Sequence, residues 1–353
     1  MGLLNLPADL RFRGMVGTGG IGHGTFFALE GNETLGREES RSGRFLDRRD
    51  YCKLHIISHY LKLLLGAGFA VYPVGRIGND DAGGALRSEM GGVGIDLRFV
   101  RQVPGAPTLY SFCFLYPDGS GGNLTTRDSA SAKVDAEAVR EAGPVMEDLG
   151  RTGVALAVPE VPLEARRTLL ECASSRGLFR AASFTTEEMP EVREAGLLGL
   201  ADLCAMNLGE AVAAGGMEQS AAEALPAADA AREAADQIWR AYPRLVLSIT
   251  AGRAGSWCGE AGQLTFDPAL PVKVEGTSGA GDAHLSGLLA GLAAGCSLAD
   301  AQQLATIVAA ASVTSAHTIH PGMTRDLLRA VRGLLGRATA RVSALLDSSN
   351  VGF

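Results

Sequence analysis

Short apolar runs alternate with stretches of helical periodicity along most of the chain. The runs at 15–18, 69–75, 154–158, 178–183, 203–207 and 245–250 read as strands. The segments at 51–65, 80–90, 163–174 and 227–241 place apolar residues on one helical face. Continuous apolar strands separated by amphipathic helices predict a doubly wound α/β fold, with a mostly parallel sheet flanked by helices. One region breaks the rhythm: 97–103, 108–116 and 123–126 are strand patterns joined by the turns Pro-Gly-Ala-Pro and Pro-Asp-Gly-Ser-Gly-Gly, with no helix between them. They predict a small β-sheet lid inserted at about 97–127, which part of 24–50 can extend. From Ala280 onward the pattern is nearly all helical. No internal repeat or low-complexity linker divides the chain, so residues 1–353 are expected to form a single domain.

Size and charge narrow the function classes. A chain of 353 residues, 46% apolar, can bury a large core, and a net charge of −7 leaves no basic face for nucleic acid. The arginines Arg44, Arg48 and Arg49 are interrupted by Asp47 and Asp50 and read as a solvated stretch. No apolar run has the length of a membrane span, and no signal peptide is expected. The six cysteines are scattered without Cys-x-x-Cys pairs, which fits a reducing cytoplasm better than a disulfide frame or a zinc site.

The chemistry concentrates between residues 272 and 295. A short strand is expected to end in the turn Gly276-Thr277-Ser278-Gly279-Ala280-Gly281, followed by a helix with Leu285, Leu288, Leu289 and Leu292 on its buried side. The first turn of a helix leaves N–H groups unpaired, and with the helix dipole they attract anions. Glycines at 279 and 281 let a phosphate approach the backbone. Asp282 lies in that first turn, where its carboxylate can take a proton from an incoming hydroxyl. Asp282 taken alone also fits an acidic residue that merely complements the dipole; the glycine pattern favours chemistry.

The stretch 277–282, Thr-Ser-Gly-Ala-Gly-Asp, resembles the C-terminal signature of the ribokinase-like (PfkB) carbohydrate kinases. Asn207-Leu208-Gly209-Glu210 is similar to their N-x-x-E motif, and Thr250-Ala251-Gly252-Arg253-Ala254-Gly255 to their T-x-G-x-x-G turn. Residues 74–80 with 92–96 resemble the strand–helix–strand before the family's lid. The resemblance covers about 66–325 and implies an ATP-dependent phosphotransferase acting on a hydroxyl of a sugar, sugar acid or nucleoside. It implies Asp282 as the base and an anion hole at Gly279, Ala280 and Gly281. Thr250, Gly252, Gly255, Thr277 and Ser278 would lie along the nucleotide, with His317 beside the adenine. Asn207 and Glu210 would organise Mg²⁺ and the phosphates through water. Gly19, Gly20 and His23 are candidate acceptor contacts from the stretch after the first strand, and Arg127 resembles an arginine of fructokinase-like and keto-sugar-acid-kinase-like members. In related kinases the lid's exposed face pairs between subunits, which implies a homodimer.

The sequence departs from the family in three places. Gly276 stands where relatives carry an Asp of a monovalent-cation site, so potassium is expected to matter little. Gly22 stands where they carry the Asp that grips vicinal hydroxyls, and 52–57 lack the G-G-x-x-x-N pattern. Glu38, Arg41, Asp50 and His55 lie in the stretch from which replacement contacts would come. Two other readings stay open. One is a non-catalytic relative that binds a nucleotide or metabolite. The other takes Gly17-Thr18-Gly19-Gly20-Ile21-Gly22, with Glu38 and Glu39 downstream, as a G-x-G-x-x-G site of an NAD-dependent oxidoreductase.

Overall fold

Thirteen strands are built from these runs in the computed structural model, which describes residues 2–118, 121–336 and 338–347. In chain order they are β1 (Gly14–Thr18), β2 (Gly22–Leu29), β3 (Gly43–Tyr51), β4 (Ala70–Gly78), β5 (Val100–Val103), β6 (Leu109–Leu115) and β7 (Gly121–Thr125). β8 (Gly153–Ala157), β9 (Phe179–Ala182), β10 (Leu203–Asn207), β11 (Val246–Thr250), β12 (Ser256–Glu260) and β13 (Gln263–Asp267) follow. Nine of them form one sheet in the order β13-β12-β11-β10-β9-β8-β1-β4-β5, parallel from β11 to β5 and closed at the other edge by the antiparallel hairpin β12–β13. Successive side chains point to opposite faces. Met15, Val154 and Leu156 join one core layer with the helices Lys53–Leu65, Ala280–Ala293 and Leu298–Ser312, whereas Val16 and Ala155 join the layer over Leu163–Arg176 and Ala227–Ala241. This is the predicted doubly wound architecture.

Strand order reverses at β1, which lies between β4 and β8. Crevices for ligands open at such switch points, outside the carboxyl ends of the strands. The segments leaving β1, β8, β10 and β11 at that end carry Gly19 and Gly20, Glu160, Asn207, and the turn 250–255.

The second sheet has the order β3-β2-β6-β7, with β2 parallel to β6 and antiparallel to β3. It therefore takes half of its strands from 22–51, and the charged stretch read as solvated is strand β3. Its end is fixed by hydrogen bonds to the loop after Leu298–Ser312: Thr318 N–H donates to Arg49 O at 3.2 Å, and Tyr51 N–H to the Thr318 side-chain Oγ1 at 3.1 Å. Gly119 and Ser120 of the expected Pro-Asp-Gly-Ser-Gly-Gly turn lie outside the described residues.

Three expectations are corrected. Residues 97–103 do not join the small sheet. Val100–Val103 pairs in parallel with β4, Gly75 opposite Val100, because the helix Asp81–Gly92 supplies the crossover that a parallel neighbour requires. No strand precedes the Gly276 turn. Residues 268–275 run without regular structure, with a tight turn from Leu270 O to the Val272 N–H and Val274 exposed, and the Glu275 N–H donates to Val313 O. The dinucleotide reading fails because strand β2, not a helix, follows the glycines at 17–22. A strand presents no dipole end and no row of free amides to a pyrophosphate. The glycines serve packing instead: a Cβ at Gly19 would overlap Val158, and one at Gly20 would overlap Glu160.

Candidate active site

The helix Ala280–Ala293 sets the position of the chemistry. Gly287 and Gly291 lie four residues apart on the face toward Leu298–Ser312, where added Cβ atoms would come within 2.7 Å of Ala305 Cα and 2.8 Å of Ala301 Cα. That close approach fixes the helix axis. At its start Gly279 has φ +78° and packs against Thr318, so only glycine holds the left-handed turn there without strain. Gly281 has open space beside it. The N–H of Ala280 donates to Thr277 O at 3.2 Å, folding the turn back on itself.

This helix end faces a cleft of about 990 Å³ between the two sheets. Thr277, Ser278, Gly279, Ala280, Gly281 and Asp282 line it, as do Asn207 and Glu210, and Thr250, Gly252 and Gly255. The motifs, far apart in sequence, are brought together. Gly255 has φ +100°, and a Cβ there would reach within 2.5 Å of Asp267 O, so the 250–255 turn needs glycine at that point. Asn207 and Glu210 form a reciprocal capping box: the Asn207 side chain accepts from the Glu210 N–H at 2.9 Å, and Glu210 Oε2 from the Asn207 N–H at 2.8 Å. Glu210 is nonetheless a buried carboxylate in the cleft wall.

Two residues that the motifs did not indicate complete the site. Lys53, the first residue of its helix, places Nζ 4.0 Å from Asp282 Oδ1. Glu160, on the segment leaving β8, accepts the Lys53 N–H at 3.3 Å through Oε2 and holds a left-handed φ of +77°. A non-glycine residue in that region stores strain of roughly 1–3 kcal/mol, and such residues cluster at functional sites.

The charges are strongly coupled. Burial pushes the Asp282 carboxyl up to about 6; Lys53 opposes the shift, and Glu210 and Asp50 reinforce it. Burial likewise lifts Glu160 to about 7, against Lys53 and with Asp282. For Lys53 burial acts downward, but the carboxylates of Asp282, Glu210 and Glu160 outweigh it and leave the ammonium more basic than usual. A cation is thus held permanently beside a carboxyl tuned close to neutrality.

Eight expected contacts lie outside the cleft lining. Gly19 and Gly20 sit behind Glu160 rather than in the cleft lining, and His23 packs its ring 5.1 Å from Tyr110. Arg127 is 85% exposed and pairs with Glu187. His317 ties down the small sheet, its Nδ1 accepting from the Arg49 N–H at 2.8 Å. Glu38 and Arg41 are on the β2–β3 connection, Arg41 pairing with Glu39, and His55 is buried in the core. Of the replacement candidates, Asp50 alone lines the cleft.

Comparison with known proteins places this geometry in a lineage. The model of the pfkB family carbohydrate kinases matches residues 58–325. A fructokinase from Klebsiella pneumoniae is 51% identical over 55 residues, which cover 16% of this chain and 18% of that protein. The bifunctional protein HldE of Bradyrhizobium sp. (strain ORS 278) is 28% identical over 254 residues, 69% of this chain and 49% of its own length. The matches thus span less than half the length of these curated relatives. Among solved structures, a ribokinase from Cryptococcus neoformans in complex with ADP superposes with a TM-score of 0.73 at 20% identity, covering 90% of this chain and 99% of that one. With the family model covering most of its length and the signature motifs converging on one cleft, the chain belongs to the PfkB family of carbohydrate kinases.

Proposed function

We propose that this chain transfers the γ-phosphoryl group of ATP to a hydroxyl of a small polyhydroxylated acceptor, with Asp282 as the general base. The observation that carries the reading is Asp282 itself: a carboxyl only 15% exposed, raised to about 6, in the first turn of a glycine-opened helix that faces a cleft between two sheets. Asp282 accepts the acceptor hydroxyl's proton as oxygen attacks phosphorus. The helix amides and Lys53 balance charge on the transferring group, which phosphoryl transfer needs more than covalent assistance. A protein that only bound a nucleotide would have no use for a base tuned in this way.

ATP would lie in the cleft with its phosphates over 279–281 and its base toward the 250–255 turn, with Ala309, Ala310 and Val313 among the apolar lining. Mg²⁺ fits the donor set in one manner. Glu210 and Asn207 are held by their capping box at the cleft wall, and a small hard cation that retains its waters needs only one or two carboxylates besides phosphate oxygens. Bound there, the ion would neutralise phosphate charge. Gly276 supplies no side-chain oxygen, and Glu275 is engaged by Lys273 at 2.6 Å, so potassium should alter the rate little. The whole chain works as one unit in a cytoplasmic setting, with the small sheet as a lid over the acceptor end.

Steady-state phosphorylation by wild-type protein with MgATP tests the reading, run in sodium and in potassium against sugars, sugar acids and nucleosides. ATP-dependent product with at least one acceptor is expected, with rates in the two salts within about twofold. No product with any acceptor would sink the proposal.

The outer face of the lid bears on assembly. Phe27, Phe45 and Phe112 cluster with ring centroids within 6.4 Å of one another, mostly edge to face, and Phe45 and Leu124 are 67% and 62% exposed. Contiguous exposed aromatic surface of this kind marks an interaction site, and we assign it to a second copy of the chain. Sedimentation should show a dimer for the wild type and a monomer for a Phe45→Asp, Leu124→Asp double variant; a monomeric wild type refutes the pairing.

A further inference from the structure

The acceptor end of the cleft has an unusual charge makeup. Asp50, at the end of β3, is buried and lines the cleft on the lid side, while Glu160, Asp282 and Lys53 line the opposite side. The Asp50 carboxylate is close enough to Asp282 to help raise its pKa. Ser111 Oγ donates a hydrogen bond to Asp50 Oδ2, and Cys113 Sγ approaches the same oxygen at 3.4 Å. Both donors project from the cleft-side face of β6, alternating with the outward Tyr110 and Phe112. The carboxylate is therefore fixed in direction by the lid's own strands. Among the described residues no Lys, Arg or His forms an ion pair with it.

Room for this carboxylate comes from the adjacent strand. A Cβ on Gly24 would meet Asp50 Oδ2 at 2.5 Å and would overlap Ser111 Oγ. Glycine on β2 and aspartate on β3 thus form a matched pair: any side chain at 24 would expel the carboxylate from its seat. Burial raises the Asp50 carboxyl's pKa despite the Ser111 hydroxyl, the Cys113 thiol and the Tyr51 backbone N–H, so its charged form is costly to keep. Hydrogen-bond donors from a bound molecule would relieve that cost.

We propose that Asp50 is the specificity-determining carboxylate of the acceptor subsite, receiving hydroxyl hydrogen bonds from an acceptor that carries no negative charge. The inference rests on the phosphotransfer reading and deepens it. Hydroxyls donate to carboxylates with charge-assisted strength. A carboxylate or phosphate on the acceptor would instead meet Asp50, Glu160 and Asp282, with Lys53 as the cation already shared among Asp282, Glu160 and Glu210. Arg127, which a sugar acid would need, points to solvent and is paired with Glu187. The lid therefore selects uncharged polyols and sugars over their acids and phosphates.

The test pairs binding with turnover, using wild-type protein and the Asp50→Asn and Asp50→Ala variants. Ligands are neutral pentoses, hexoses, polyols and nucleosides, together with matching aldonic and uronic acids and sugar phosphates. Thermal-shift titration should find stabilisation of the wild type by at least one neutral member, and weaker binding of its acid counterpart by tenfold or more. Asp50→Asn should weaken the neutral ligand roughly ten- to a hundredfold, as expected for a lost hydrogen bond to a charged group. In turnover the loss should appear in the acceptor KM more than in kcat, and the variant's discrimination against acids should narrow. Unchanged acceptor affinity in Asp50→Asn, preference for an acid or phosphate, or stabilisation by no member of the panel overturns the inference. Asp50-dependent binding of a neutral ligand without any phosphorylation would support it while counting against the phosphotransfer reading alone.

Discussion

Asp282→Asn should lower kcat by about 10²–10⁴-fold, the range typical of a lost general base, while leaving the fold and ATP affinity close to wild type. The structure explains why the two effects separate. The ion pair described for the Asp282 carboxylate is the one with Lys53 at 4.0 Å, a long contact on one wall of the cleft that does not hold the first turn of the helix together. The local helix geometry is maintained by other bonds: Ala283 N–H donates to Gly279 O at 2.8 Å, and Ser286 Oγ to the Asp282 carbonyl at 2.7 Å. Asparagine has the shape of aspartate and keeps these contacts, yet it cannot take a proton from a hydroxyl. Removing a carboxylate from this site also frees Lys53 for the phosphates, so ATP binding should be unchanged or slightly tighter. Melting temperature, equilibrium ATP binding and single-turnover rate measure the three quantities separately. A variant that kept more than roughly a tenth of the wild-type rate would show that another group, with Glu160 the nearest candidate, takes the proton.

Much of the central sheet could be read from the sequence because its strands are buried on both faces. β1, β10 and β11 are continuous apolar runs, and nothing else of that length and composition suits their place. The edges were harder. β12 and β13 turn through Ala261 and Gly262, both at positive φ, where Asn-Gly would have marked the hairpin openly. β3 carries Arg44, Asp47, Arg48 and Arg49 on both of its faces, most of them open to water, and by composition it resembles a loop. β5 looked like part of the lid because only a turn separates it from β6, whereas its partner is set by the helix before it.

The site divides in the same way. Asp282, its glycines, Asn207, Glu210 and the 250–255 turn each belong to a contiguous motif, and all reach the cleft. Lys53 and Glu160 belong to no such motif: they meet through tertiary packing across more than a hundred residues of chain. One local signal did exist. A lysine at the first position of a helix with no acidic residue in that turn opposes the helix dipole, and such violations of local preference are expected where function overrides stability. His317 and Arg127 show the opposite case. Their sequence context suits a ligand, whereas in the structure His317 Nδ1 accepts from the Arg49 N–H and Arg127 pairs with Glu187, both outside the cleft lining.

Replacing Lys53 should move the pH dependence of catalysis, and the direction follows from the charges. The base works only when ionised, so kcat/KM for the wild type should fall as pH drops below about 6, where Asp282 takes up its proton. Lys53 is the group that holds this value down; burial, Glu210 and Asp50 all push it higher. In Lys53→Met the opposing influence is gone, and the acidic limb should shift to higher pH by roughly one unit or more. At pH 7 a base that was mostly ionised becomes substantially protonated, and the lost charge also weakens stabilisation of the transferring phosphoryl group. Together these should reduce kcat/KM at pH 7 by roughly ten- to a hundredfold. Raising the pH toward 9 should recover the part due to ionisation and leave the part due to charge. Lys53→Arg separates charge from geometry: a guanidinium keeps the positive field, so its limb should remain near that of the wild type even if kcat falls. An acidic limb that stayed in place in Lys53→Met would mean that Lys53 does not set the ionisation of the base, and its distance to Asp282 would then be a packing consequence of the helix that carries it.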